Sequence, residues 1–252
     1  MPLVRGARQI VLVGDHRQLP PTVISQRAKN GGLSRSLFER MVEVGISPHL
    51  LRIQYRMHPA ISAFPNERFY NGRLEDGVET SDRITPAGLL WPDWECPIAF
   101  LPITGGEVRS PDGTSKENPT EASWVAQLLE GLMEGGELGQ DDIGIITPYA
   151  GQVRAIRDSV PTRYDGVEVR TVDGYQGREK EVILFSCVRS NSQGNVGFLS
   201  DSRRLNVALT RAKRGLIVIG DPETLRYDED WAAWLEHVRS RNLEAWHLLG
   251  MA

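Results

Sequence analysis

The chain has 252 residues, 40% hydrophobic and 25% charged, with a net charge of -4. This ordinary globular composition suffices for one large core, or for one domain and part of another. The acidic balance excludes the broadly basic surface of a protein that holds nucleic acid by bulk charge, so any such contact needs a local groove. No run of about eighteen apolar residues occurs, and the start "MPLVRGARQIVLVG" lacks a signal-peptide pattern. Cys96 and Cys187 stand far apart with no CxxC, so we expect reduced thiols in an intracellular protein.

In chain order, "QIVLVGD" (9–15) reads as a buried strand that ends in the loop "HRQLPP". Leu33, Leu37, Met41 and Val44 then share one helical face, and Gly45 stops that helix. Pro48 interrupts the chain, so residues 1–48 are expected to close one unit and 49–252 to form a second. "LLRIQY" reads as a strand, and Pro59 sits at a first helical position with Pro65 limiting that helix. Residues 71–96 are turn-rich, and "PIAFLPI" follows as a strand.

Asn118, Pro119 and Glu121 resemble a capping box. Ala122, Val125, Ala126, Leu129, Leu132 and Met133 then repeat at helical spacing until Gly135 and Gly136. "IGIITP" is a strand and "AGQVRAIRDSV" a helix. "VEVRTV" and "EVILFSCV" are strands around the glycine-punctuated loop "DGYQGRE". "RRLNVALTRAKR" reads as a helix with Arg204 and Arg211 together on one flank and Lys213 and Arg214 at its C-terminal end. "GLIVIGD" is a strand and "DEDWAAWLEHVRSR" a closing helix. This alternation predicts an α/β fold, a parallel sheet with helices on both faces.

The loops then carry the chemistry. Tyr55 and Arg56 follow one strand, Thr147, Pro148 and Tyr149 another, and Asp15, His16 and Gln18 a third; a parallel sheet would bring these three loops to one edge. Gln176, Arg178 and Glu179 occupy the glycine-punctuated loop. Such a loop is either an ordinary polar turn between strands or a ligand contact. An aromatic face can stack a base, arginine forks neutralise phosphate, a carboxylate accepts ribose hydroxyls and an amide orients water. Tyr55, Arg56, Arg211, Glu179 and Gln18 together therefore suit a nucleotide, with Arg56 and Arg211 as two candidate arginine fingers. His16, His49, His58, His237 and His247 have no metal-ligand spacing, and no GxSxG elbow is present.

In order and spacing, "VGDHRQLPP", "QYRMHPAISAFPNERFYNG", "IGIITPYAGQ", "TVDGYQGREKEVILFSCVRSN" and "RRLNVALTRAKRGLIVIGD" resemble motifs III to VI of superfamily 1 helicases. The stretch from "SLFERMVEVGISP" to "RFYNGRLEDGV" looks most like the up-frameshift RNA helicases of nonsense-mediated mRNA decay. The resemblance covers nearly the whole chain. It implies a RecA-like sheet, with residues 49–252 as the second RecA-like domain and 1–48 as the tail of the first.

It also implies ATP with Mg²⁺ as cofactor, single-stranded RNA or DNA as partner, and a cytoplasmic or nuclear location. By the same resemblance, Gln18 senses the γ-phosphate, Tyr55 stacks on adenine, Arg56 and Arg211 are the fingers and Glu179 holds the ribose. Thr147, Pro148, Tyr149, Thr171, Val172 and Gln176 lie along the strand. One departure stands out: no G-x-x-x-x-G-K-[ST] run occurs, because none of the four lysines follows a glycine. The metal-holding acidic motif and the first RecA-like domain are expected upstream of this chain, and the chain alone is expected to be inactive. The alternatives are a related DNA or DNA/RNA helicase fragment, a non-catalytic nucleic-acid or protein-binding module, and a stand-alone nucleotide binder.

Overall fold

A computed structural model of the chain describes residues 6–21 and 23–251. The chain divides into two compact units, Met1–Leu50 and Leu51–Ala252. The first contains two short helices, α1 (Gln26–Asn30) and α2 (Leu37–Glu43), whose N-termini are capped by the hydroxyls of Ser25 and Ser36. The Ser36 cap sets the start of α2, so the expected helix from Leu33 is shorter than its apolar spacing suggests, and Leu33 and Val44 are exposed.

The expected strand at residues 9–15 is not formed. Val11 and Val13 are 86% and 90% exposed. A strand exists only through hydrogen bonds to a neighbour, and among the described residues none pairs with this segment.

The second unit carries β1 (Ile53–Gln54), α3 (Pro59–Tyr70), β2 (Glu75–Asp76), β3 (Ile98–Pro102), β4 (Val108–Arg109), β5 (Lys116–Glu117), α4 (Pro119–Glu134) and β6 (Ile143–Thr147). It continues with α5 (Ala150–Ser159), β7 (Glu168–Thr171), β8 (Lys180–Ser186), α6 (Ser202–Leu209), β9 (Ala212–Gly220), α7 (Pro222–Leu225) and α8 (Glu229–Ser240). The main sheet has the order β3-β9-β8-β6-β7, and each of its pairings is parallel.

The register explains why these strands are apolar throughout. Ala99, Ile217, Leu184, Ile145 and Val169 form one row and join Val125, Leu129 and Leu132 of α4 and Ile156 of α5 in one core. The adjacent row, Phe100, Val218, Phe185 and Ile146, faces the other way, and Phe185 stacks on Trp231 of α8 at 6.0 Å. A sheet covered on both faces has no use for alternating polar positions. The expected α/β architecture, a parallel sheet with helices on both faces, is the one observed.

Two local readings are corrected. β1 pairs with β2 in a separate two-stranded ribbon, so Tyr55 and Arg56 do not share a sheet edge with Thr147. The helix expected to run through Arg214 ends at Leu209, and β9 begins at Ala212. The Thr210 hydroxyl bonds back to Asn206 O at 2.6 Å where the helix stops. Arg204 and Arg211 therefore do not lie on one helix, and Lys213 and Arg214 stand on a strand. "ALTRAKRG" has residues at both helical and alternating spacing, so periodicity alone could not separate the two.

Candidate nucleotide and nucleic-acid sites

The candidate side chains of the second unit gather at the two opposite ends of the main sheet. At the end where β8 and β9 begin, Glu179 immediately precedes β8 and Arg211 immediately precedes β9. Arg56 reaches this end from the β1 side: its Nε donates to Glu179 Oε2 at 2.5 Å and its Nη1 to Thr210 O at 3.0 Å. Lys213 lies 3.5 Å from the other Glu179 oxygen. Burial pushes the Glu179 carboxyl up, but the Arg56 hydrogen bond and the charges of Arg56 and Lys213 outweigh it and hold the group below the ordinary range.

The segment carrying Tyr55 and Arg56 is fixed from behind. Gln54 Oε1 accepts from the Arg56 and Met57 amides, while its Nε2 donates to Met57 O and Asp76 Oδ1. The Arg83 guanidinium donates to the carbonyls of both Tyr55 and Arg56 at 2.8 Å. Tyr55 itself is 64% exposed. Its ring lies so close to Gly77 that any Cβ there would collide with it. The result is an exposed aromatic face beside a half-exposed arginine–carboxylate pair.

Arg211 differs from Arg56. It is 2% exposed, and it donates Nε to Val207 O at 3.0 Å and Nη2 to Thr210 Oγ1 at 2.9 Å. Its guanidinium thus closes the end of α6. Gln18 lies in the first unit, where its Nε2 donates to Asp15 Oδ2 at 3.0 Å.

At the opposite end, Thr147 ends β6 and Thr171 ends β7, followed by Pro148, Tyr149 and Val172. Thr147, Tyr149 and Val172 are buried, whereas Pro148 and Thr171 are half-buried and Gln176 is exposed. Tyr149 is held through its hydroxyl, which receives Arg189 Nη1 and the Phe198 amide, each at 3.2 Å. A cleft of about 590 Å³ opens here, lined by Arg109, Lys116, Tyr149, Arg189 and Phe198 among others. The Arg204 guanidinium sits over the exposed Phe198 ring at 5.4 Å.

Several of these groups escaped sequence reasoning. Glu107 sits in a turn-rich stretch without periodicity, yet its carboxylate takes Arg189 Nε at 3.0 Å and the Ser190 amide at 2.8 Å, and it also pairs with Lys116. Burial pushes Glu107 up, and these donors more than reverse it. Glu121 was expected in a helix cap. Asn118 does cap α4, accepting from the Glu121 amide, but the Glu121 carboxylate turns inward. It accepts Ser186 Oγ at 2.6 Å and the Val188 amide at 2.9 Å. Val188 adopts φ 72, a conformation that a β-branched residue avoids. Complete burial pushes the Glu121 carboxyl up to about 8, against the pull of those two hydrogen bonds.

A family model described as an AAA domain matches residues 33–223, and a second of the same description matches residues 1–26. The chain belongs to this AAA domain family. It is 45% identical over 250 residues to the "Regulator of nonsense transcripts 1 homolog" of Drosophila melanogaster, which covers 96% of this chain and 21% of that protein. It is 44% identical over 249 residues to the "ATP-dependent helicase upf1" of Schizosaccharomyces pombe (96% and 27%) and 42% identical over 249 residues to the "ATP-dependent helicase NAM7" of Saccharomyces cerevisiae (96% and 26%). The chain thus spans between 21% and 27% of the length of these three curated relatives. The likeness to the up-frameshift helicases read from the motifs is the likeness these relatives carry. Among the described residues, no helix is long and apolar enough to cross a membrane.

Proposed function

We propose that this chain is the C-terminal part of an ATP-dependent RNA helicase of the up-frameshift type, acting in the cytoplasm. Residues 1–48 would be the tail of the first RecA-like domain and 49–252 the second. The observation that carries this reading is the exposed Tyr55 ring beside the Arg56–Glu179–Lys213 cluster where β8 and β9 begin. Its donor set suits a nucleotide: a flat apolar face for the base, a carboxylate for ribose hydroxyls and a guanidinium for phosphate. Arg56 Nη2 makes no hydrogen bond among the described residues, which leaves one donor of the fork for the transferring phosphate. Arg211 would be a second finger whose orientation is set by its bonds to Val207 and Thr210, and Gln18 would sense the γ-phosphate.

The single strand would cross the other end of the sheet. Thr147, Tyr149 and Val172 are buried, so they would offer it backbone, while Pro148, Thr171 and Gln176 would offer surface. The cationic cleft around Arg109, Lys116 and Arg189, with Phe198 beside it, suits a phosphate backbone with a base stacked on an aromatic ring. Magnesium would neutralise phosphate charge during transfer. Its ligands and the P-loop would come from outside this chain.

This predicts that the 252-residue chain releases no phosphate from ATP, with or without single-stranded RNA, since Arg56 and Arg211 act only on a triphosphate held elsewhere. Phosphate release measured by a coupled assay tests it. Turnover within about tenfold of the typical enzyme range of 1–10³ s⁻¹ would overturn the division of labour.

A further inference from the structure

A second basic cleft lies at the β7 edge of the sheet; its Arg178 and Lys180 flank Glu179 in the chain, but Tyr55, Arg56, Glu179 and Arg211 do not line it. It has a volume of about 620 Å³ and draws cations from four elements: Arg157 of α5, Arg170 of β7, Arg178 of the loop before β8, and Lys180 of β8. One carboxylate organises three of them. Glu168 accepts Arg170 Nε at 2.5 Å, pairs with Arg178 Nη1 at 2.7 Å, and stands 4.0 Å from Lys180.

The Glu168 side chain is 17% exposed, whereas those of Arg170 and Arg178 are 45% and 47% exposed. The carboxylate therefore sits behind the guanidinium groups, and their outer donors face solvent. Asp141 and Asp165 also line the cleft but are exposed, and among the described residues neither carboxylate is ion-paired with these cations. Lys180 Nζ donates to the Asp141 carbonyl and Arg157 Nη2 to the Val169 carbonyl, at 2.5 and 3.0 Å. Those bonds hold the cations in place without neutralising them. The far wall is stapled by Gln140, which donates to Arg163 O at 2.9 Å and accepts from the Gly166 amide at 2.8 Å.

Four pre-positioned cations against three carboxylates, of which only Glu168 is paired with them among the described residues, form a receptor for an anion with several charges. A lone phosphate would span only part of a cavity of this size, and guanidinium forks favour phosphate oxygens. We propose that this cleft binds an oligophosphate group, the chemistry shared by free polyphosphate and the tail of a nucleotide, at a site separate from Tyr55, Arg56 and Glu179.

Glu168 competes with the ligand in this arrangement, which makes the test discriminating. The 252-residue chain is titrated calorimetrically with sodium tripolyphosphate at low salt and without magnesium, thermal unfolding being checked for each variant. Arg170→Ala and Arg178→Ala should each weaken binding about fivefold or more, and Glu168→Gln should tighten it by about the same factor. Arg239→Ala, on α8, should leave the affinity within about twofold. A residue that merely holds the fold would not produce opposite signs for the two halves of one ion pair.

Amide shifts of the unaltered chain locate the anion independently, should Glu168→Gln fail to fold. They should concentrate at Gly166, Val167 and Arg170. ATP in place of tripolyphosphate separates the two sources: binding here at least as tight assigns a nucleotide tail, and weaker binding assigns the free anion. Absence of binding, an unchanged or weaker Glu168→Gln variant, or shifts centred on Arg56 and Glu179 would overturn the proposal.

Discussion

Arg56→Ala, made in a longer chain that also supplies the P-loop, should lower the kcat of ATP hydrolysis by about 10³-fold while single-stranded RNA affinity stays within about twofold. The cause lies in the geometry. Arg56 Nε is committed to Glu179 and Nη1 to Thr210 O, so the group is aimed before any ligand arrives, and a finger contributes mainly where charge builds in the transition state. The end of the sheet proposed to meet RNA is untouched by the change. Steady-state turnover alongside RNA binding by fluorescence anisotropy decides it. A kcat loss of less than about tenfold, roughly 1.4 kcal/mol, removes Arg56 from that role. Arg211→Ala should match the loss in kcat but also destabilise the fold, by about 1–3 kcal/mol. It is almost fully buried, and its removal takes the 3.0 Å donor from the Val207 carbonyl, leaving that oxygen only the longer contacts from Thr210. Arg56 is therefore the cleaner test of the pair.

The second large effect concerns Glu121, and it is a dependence of stability on pH. In the folded chain its carboxyl is raised to about 8 from an ordinary 4.5, burial being the main cause. The folded state thus binds one proton more than the unfolded state between those two values. Stability conferred by that proton is full below about 4.5 and declines as pH rises to about 8. From pH 6 to 8 the decline should be about 2 kcal/mol in the wild-type chain beyond that of Glu121→Gln, which carries no such proton. Denaturant unfolding of both chains at these pH values measures it, and parallel curves would contradict the assignment. Glu121→Ala should instead cost about 3 kcal/mol or more at pH 6, because Ser186, the Val188 amide and the strained Val188 turn all lose their partner.

The motifs made most of the second unit legible, for physical reasons that can be traced residue by residue. The apolar runs of β6, β8 and β9 are continuous because α4 and α5 cover one face and α8 the other. The start of α4 was visible because an asparagine cap and a first-turn proline are local signals. Long-range hydrogen bonding was not legible. Residues 9–15 have the composition of a strand but form none with the described residues, and composition carries no information about neighbours.

Arg211 was singled out correctly as a residue bordering the core but assigned to a helix, because "ALTRAKRG" satisfies two periods at once. Tyr55 and Glu179 were grouped by chemistry, and the structure brings Arg56 to Glu179 across 123 positions of sequence. Gln18 stands in the other unit. Glu107 and Arg189 carried no signal at all, since each is defined by contacts between distant loops.

Nucleotide and single strand are expected at opposite ends of one parallel sheet. Amide shift mapping of the 252-residue chain tests it most directly, with millimolar ADP in one titration and a short oligouridylate in the other. Binding need only be weak for shifts to appear. ADP should move the amides of Arg56, Gly77, Glu179 and Lys213, and the oligonucleotide those of Tyr149, Val172, Gly174 and Phe198. If both ligands perturb the same end, or each perturbs the end assigned to the other, the account is wrong.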